Sequence, residues 1–111
     1  MHKRVLVILG HPSTDSLCGA LASSYTAAAG NAGHEVRRIN LAEQSFDPLL
    51  RHGYAEPQKL EPDLVNAQAQ LKWANHVVFV YPTWWGSMPA LMKGFIDRTF
   101  LPEFAFKYHR R

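Results

Sequence analysis

The sequence predicts an α/β domain, a parallel β-sheet with helices packed on both faces. Three observations carry that reading. Val5–Leu9 is a run of five aliphatic residues without a polar break, the mark of a parallel strand covered on both faces. His76–Tyr81 contains a second such run, Val77-Val78-Phe79-Val80. Segments of helical period alternate with the strands as βα, βα, βα, each unit near the roughly 30 residues of a βαβ repeat. Regular alternation of this kind builds a parallel sheet, and right-handed crossovers then fix most of its topology.

Each element has its own local reason. Gly10 ends the first strand. After the loop Gly10–Asp15, Ser16 is placed to cap a helix running to about Gly30 or Gly33, because its hydroxyl can accept one of the unsatisfied amides of the first turn. Leu17, Leu21, Ser24 and Ala28 step along one face of that helix and are expected to be buried. Gly33 suits its left-handed stop. His34–Leu41 alternates, with Val36, Ile39 and Leu41 its only strong hydrophobes, as an edge strand does. Ala42–Pro62, with three prolines, reads as a long polar connection over the surface. Asp63–Asn75 is expected to be a helix burying Leu64, Ala67, Leu71 and Ala74. A third helix begins with Pro89 in its first turn, carries Leu91, Met92, Phe95, Ile96 and Thr99 inward, and stops at Pro102.

Composition excludes several classes. A chain of 111 residues suffices for one cored domain and is too short for two. The net charge of +3 owes itself to Lys107, Arg110 and Arg111; without them nine basic and nine acidic side chains cancel. A nucleic-acid binder shows a basic stripe on a folded face instead. The lone Cys18 excludes an internal disulfide and a CxxC centre, in keeping with a reducing cytoplasm. Val5–Leu9 is too short for a secretory core, and no stretch approaches the roughly 20 apolar residues of a membrane span. The histidines show no ligand spacing, so no metal site is expected.

Ligands of open α/β sheets sit beyond the carboxyl ends of the strands, where strand order reverses. Two loops qualify. Gly10-His11-Pro12-Ser13-Thr14-Asp15-Ser16-Leu17-Cys18 opens a helix, so free amides and the positive dipole end face whatever binds there, with the hydroxyls of Ser13, Thr14 and Ser16 as further donors. It reads as a phosphate site without lysine or arginine, or as a loop that caps its own turns. It is neither GxGxxG nor GxxxxGK[ST], against a dinucleotide fingerprint or an NTPase. The second loop is Pro82–Met88 with Trp84 and Trp85 adjacent. Neighbours in an extended loop point opposite ways, so one indole can be core while the other borders a flat heteroaromatic ligand. Gly86 allows backbone to approach such a ring. The alternative is an aromatic anchor for the third helix.

Gly10-His11-Pro12 with Ser16 downstream, and Tyr81-Pro82-x-Trp84-Trp85 running into Pro89-Ala90-Leu91-x-Lys93-Gly94-Phe95-Ile96-Asp97-Arg98-x-Phe100, form a specific pattern. With Phe104-Ala105-Phe106-x-Tyr108 they resemble the flavodoxin-like NAD(P)H dehydrogenase (quinone) family over essentially the whole chain. The resemblance implies a flavodoxin-like parallel sheet of which residues 1–111 are a single N-terminal part, with three βα units present and the last two strands of the family fold missing. It implies bound flavin, FMN or FAD, reduced by NAD(P)H and reoxidised by a quinone-like acceptor in two-electron steps. It further implies that His11, Ser16, Leu17 and Cys18 line the flavin phosphate side, that Thr83, Trp84, Trp85 and Gly86 line the isoalloxazine, and that the protein is a cytoplasmic homodimer. No nucleophile–base pair is present, so no side chain is assigned a catalytic role and hydrolase chemistry is not favoured. Lys93 and Asp97, an i,i+4 pair, read as helix-stabilising. Two other readings remain: an ancillary subunit of a potassium-efflux system, with which the basic Lys107–Arg111 end is compatible, and an inactive fragment.

Overall fold

The computed structural model describes residues 2–102 and Phe104; the expectations for Lys107–Arg111 and for Ala105, Phe106 and Tyr108 lie outside the described residues. The elements are β1 (Arg4–Leu9), α1 (Leu17–Asn31), β2 (Glu35–Asn40), α2 (Pro62–Trp73), β3 (His76–Val80) and α3 (Ala90–Thr99), with a 3₁₀ turn at Leu41–Glu43 after β2. The sheet is parallel in the order β2-β1-β3. β1 is central, so its run is continuous; β2 is an edge, so it alternates.

The two crossovers, from β1 to β2 and from β2 past β1 to β3, run in opposite directions across the sheet. With a common right-handed sense, that places their helices on opposite faces of the sheet. Val5, Val7 and Leu9 accordingly point towards α1, packing with Ala22, Cys18, Val78 and Val80. Leu6 and Ile8 point the other way, into a cluster with Ile39, Leu41, Leu64, Ala67, Met92 and Phe95. Burying an aliphatic side chain of this size contributes about 1.5–3 kcal/mol, so the five buried residues of β1 anchor both layers at once.

α1 differs from expectation in its rotation. Leu17 and Leu21 are 76% and 55% exposed, and Ser24 and Ala28 are exposed too; Gly19 and Ala22 are the buried residues. The reason lies at the helix start. Ser16 is the N-cap, its side chain accepting from the Gly19 amide, and a Cβ on Gly19 would lie 1.9 Å from the Thr14 carbonyl oxygen. That close approach turns Gly19 inward, and the small-residue face follows it onto the sheet. The far end is as expected: Gly33 has φ +91, and its amide and that of His34 donate to Gly30 and Ala29, the paired bonds of a Schellman stop.

α2 starts at Pro62, in its first turn, and buries Leu64 and Ala67, with Leu71 and Ala74 packed against the core. α3 has Pro89 as N-cap rather than within the helix. Its buried face includes Met92, Phe95 and Thr99 as expected, and also Arg98, 1% exposed.

Arg98 explains the long connection. Its two Nη atoms donate to the Asp47 carbonyl, to the Lys59 carbonyl at 3.0 Å and to Glu61 Oε1 at 2.7 Å. The Asp47 amide donates to Glu61 Oε2, and Gln58 Nε2 donates to the Leu49 carbonyl at 3.1 Å. Phe46 packs edge-on against Phe95 with centroids 6.1 Å apart. The segment crosses the surface as expected and is clamped to α3 there. The Arg98 guanidinium beside Glu61 is the main cause holding that carboxyl below the usual range, with the Asp47 amide adding to it against partial burial. Asp47 is lowered as well, chiefly by the Arg51 side chain and then by the Leu49 amide.

Candidate functional site

Strand order reverses at β1, so the loops after β1 and β3 leave adjacent strands at their carboxyl ends. The Gly10 amide donates to the Val80 carbonyl at 2.8 Å, tying the two loops at their base. Above that bond the His11 and Trp84 rings meet edge to face, with centroids 5.7 Å apart and planes at 73°. A Cβ on Gly10 would come within 2.7 Å of the Met92 side chain, so α3 closes the floor. The two loops singled out in the sequence are thus one structural unit.

Within the first loop the polar side chains are occupied with each other. His11 Nδ1 accepts from the Ser13 amide at 2.8 Å, and Ser13 Oγ accepts from the Asp15 amide at 3.2 Å. Ser16 Oγ donates to the Ser13 carbonyl at 2.9 Å and accepts from Gly19 at 3.1 Å. The hydroxyls of Ser13 and Ser16 therefore shape the loop. What remains for a ligand is backbone: the amides of Leu17 and Cys18 open α1 and have no carbonyl one turn back to donate to. The Leu17 side chain projects into solvent, while Cys18 is half-buried against the Val5–Leu9 layer.

The second loop ends in a two-residue hairpin. The Trp84 amide donates to Ser87 at 2.8 Å and the Ser87 amide to Trp84 at 3.0 Å. Trp85 and Gly86 between them have φ of 53° and 73°, the positive pair of a type I′ turn. Glycine adopts that backbone freely; a bulky tryptophan there is an outlier that costs on the order of 1 kcal/mol or more. Trp85 is also fully exposed and Trp84 is 45% exposed. Neither indole is core, contrary to the expectation that one would be, and Thr83 is exposed beside them. The anchor reading fails on this point: α3 is held by Met92 and Phe95, not by the tryptophans.

Aromatic faces and spare amides thus line an open rim with no lysine or arginine among the described residues. A pocket of about 240 Å³ lies elsewhere, lined by Leu50, Tyr54, Pro57, Arg98, Leu101 and Pro102, where Arg98 is already committed to the connection. Among the described residues no cluster of three His, Cys, Asp or Glu could hold a metal, and no helix is long and apolar enough to cross a membrane. A flat, phosphate-bearing ring system fits the rim, since its phosphate needs amides at a helix start and its ring needs aromatic and backbone edges. The two loops read from the sequence lie side by side in the structure. The sequence reading missed Gly10, Gly19 and Met92, whose role is steric and shows only when the loops are folded.

Comparison with known proteins places the chain in context. The family model described as "Flavodoxin-like fold" matches residues 3–111. A ribosyldihydronicotinamide dehydrogenase-like protein of Penicillium crustosum is 32% identical over 87% of this chain and 43% of its own length. NAD(P)H dehydrogenase [quinone] 1 of Rattus norvegicus is 28% identical over 96% of this chain and 46% of its own. The solved NAD(P)H:quinone oxidoreductase of Methanothermobacter marburgensis superposes with a TM-score of 0.78 at 24% identity, covering 90% of this chain and 54% of that one, a likeness of fold. The chain spans about half the length of the curated relatives it matches.

Proposed function

The chain belongs to the family of flavodoxin-like fold whose model spans residues 3–111, and on that premise we propose that it is the flavin-binding portion of an NAD(P)H:quinone oxidoreductase. The single observation that supports this most is the His11–Trp84 contact at 5.7 Å, which joins a cation-free anion site to an aromatic rim at the switch point of the sheet. The names of the curated relatives supply the donor, a reduced nicotinamide, and the acceptor, a quinone. A bound flavin, FMN or FAD, would supply the two-electron redox chemistry between them.

The chain's own residues bind and orient. The Leu17 and Cys18 amides, backed by the helix dipole, hold phosphate. Ser16 and His11 keep the loop in the shape that exposes those amides. Trp84 offers an indole beside the ring, and the amides of Thr83, Trp85 and Gly86 can donate to ring heteroatoms, with Gly86 free of any neighbour that would keep them apart. No acid or base is assigned in the described residues, since positioning beside the redox ring is the work required of them. The efflux-subunit reading gains no support, because its basic end lies outside the described residues.

A titration of the purified chain with FMN and FAD tests the proposal. Saturable quenching of tryptophan emission, followed by bleaching of flavin absorbance on adding NADH or NADPH, is the expected result; absence of quenching by either flavin would sink it. Trp73, at the end of α2 with Arg37 4.0 Å over its ring and its carbonyl accepting from Arg4 at the start of β1, lies at the other end of the sheet from the two loops and should not report. Trp84→Phe and Trp85→Phe variants therefore assign the signal.

Trp85→Asn separates folding from function. Asparagine tolerates positive φ and completes the Asn-Gly pair favoured in type I′ turns. The variant should gain about 1 kcal/mol in urea unfolding while binding flavin several-fold more weakly. Loss of both, or of neither, would mean that the strained indole has no ligand role.

A further inference from the structure

We infer that His11 is a positioning residue that fixes Trp84 against the opening of α1, and that it does so only while its Nδ1 carries no proton. The inference rests on the flavin reading for its function but on its own geometry for its existence. Nδ1 accepts from the Ser13 amide at 2.8 Å. An amide can only donate, so the proton of the neutral ring sits on Nε2. The same ring stands at 73° to the Trp84 indole. One imidazole thus holds both ligand loops, through a hydrogen bond on one side and an aromatic edge on the other.

The bond is also the first link of a chain. Ser13 next receives the Asp15 amide on its Oγ and the Ser16 hydroxyl on its carbonyl, and Ser16 in turn caps Gly19. A proton on Nδ1 converts the acceptor into a donor facing a donor, which releases Ser13. The turn that presents the Leu17 and Cys18 amides and the orientation of Trp84 are then no longer fixed by a common residue. Protonation of His11 Nδ1 therefore uncouples the two loops.

Other titratable groups do not replace it. Asp15 and Cys18 share its loop, and Tyr81 lies at the start of the facing loop. On α3, Lys93 and Asp97 are paired with each other at 2.6 Å. None of these is ion-paired with His11 among the described residues.

The test begins without flavin. Tryptophan emission of the chain is followed from pH 8 to pH 5 in the wild type, His11→Asn, His11→Phe and Trp84→Phe. A protonated imidazole against an indole quenches it, so the wild type should show a step that is absent in all three variants. A step that persists in His11→Asn would overturn the inference, as would a wild type without one. Flavin titrations at pH 8 then divide the roles. His11→Phe keeps a ring but offers no acceptor, and should bind about fivefold more weakly; His11→Asn, whose amide oxygen can accept from Ser13, should recover part of that and lose the pH dependence. Equal affinity of wild type and His11→Phe at pH 8 would overturn the positioning role. A fluorescence step with no flavin binding in any variant would support the His11–Trp84 coupling and overturn the flavin reading instead.

Discussion

Arg98→Ala is expected to destabilise the chain by about 3 kcal/mol in urea or thermal unfolding, among the largest effects of any single polar substitution here. The guanidinium is 1% exposed and bonds two backbone carbonyls as well as Glu61. Removing it strands all of these, and a partly buried acceptor without a donor costs more than the bond itself contributes. Glu61 remains behind as an uncompensated carboxylate, though its partial exposure keeps the loss at the low end for such a cluster. Glu61→Gln keeps an acceptor for the Asp47 amide and should cost about 1 kcal/mol.

The same cluster sets a pH dependence. The Glu61 carboxyl is lowered in the folded chain, first by Arg98. A carboxyl that is more acidic when folded contributes stability above its unfolded value, and that contribution disappears as pH falls through the folded value. The wild type should therefore lose stability on acidification below the ordinary glutamate range, and Arg98→Ala should lose less over the same interval. Parallel acid curves for the two proteins would refute the assignment.

Gly19→Ala is the second large effect, and its sign is opposite to helix propensity. Alanine in a helix is ordinarily favoured over glycine by about 1 kcal/mol. At Gly19 the new methyl would lie 1.9 Å from the Thr14 carbonyl, which is backbone and cannot swing aside. Either the loop or the helix must shift, at a cost of about 3 kcal/mol, and the Ser16 cap and the Leu17 and Cys18 amides shift with it. Flavin affinity should fall with stability. Gly30→Ala is the control: nothing lies within 4 Å of its added methyl, so it should gain about 0.5–1 kcal/mol and leave binding unchanged. Similar behaviour of the two variants would show that the close approach at Gly19 carries no weight.

What could be read in the sequence follows from the range of the forces involved. The strands were legible from their apolar runs, although only Val5–Leu9 is buried on both faces; Val77–Val80 lies at an edge of the described sheet with Phe79 exposed. The cap at Ser16 and the stop at Gly33 were legible because a few adjacent residues determine them, and both stand as expected. The two loops proposed to hold the ligand stood out for residue types that packing alone does not call for. The rotation of α1 was not, since its leucines obey helical period yet a steric contact across five residues, Thr14 to Gly19, turns them outward. Nor was the clamp, whose bonds join Arg98 to residues 37 to 51 positions earlier. Its one sequence sign was a cation three residues after Phe95 on an otherwise apolar face.

The outward leucines have a consequence for the motion of α1. Its inner face is Gly19 and Ala22 with half-buried neighbours, so little apolar area holds it to the sheet and its two ends, the Ser16 cap and the Gly33 stop, contribute a large share. An element so attached has a low free energy of local opening compared with β1. A phosphate held by the first amides of α1, as proposed, would raise that opening free energy by RT ln(1 + L/Kd), where L is the free ligand concentration. On the proposed reading, ligand occupancy and the order of this helix are one equilibrium, and the bound phosphate would act as the packing that Leu17 and Leu21 do not supply.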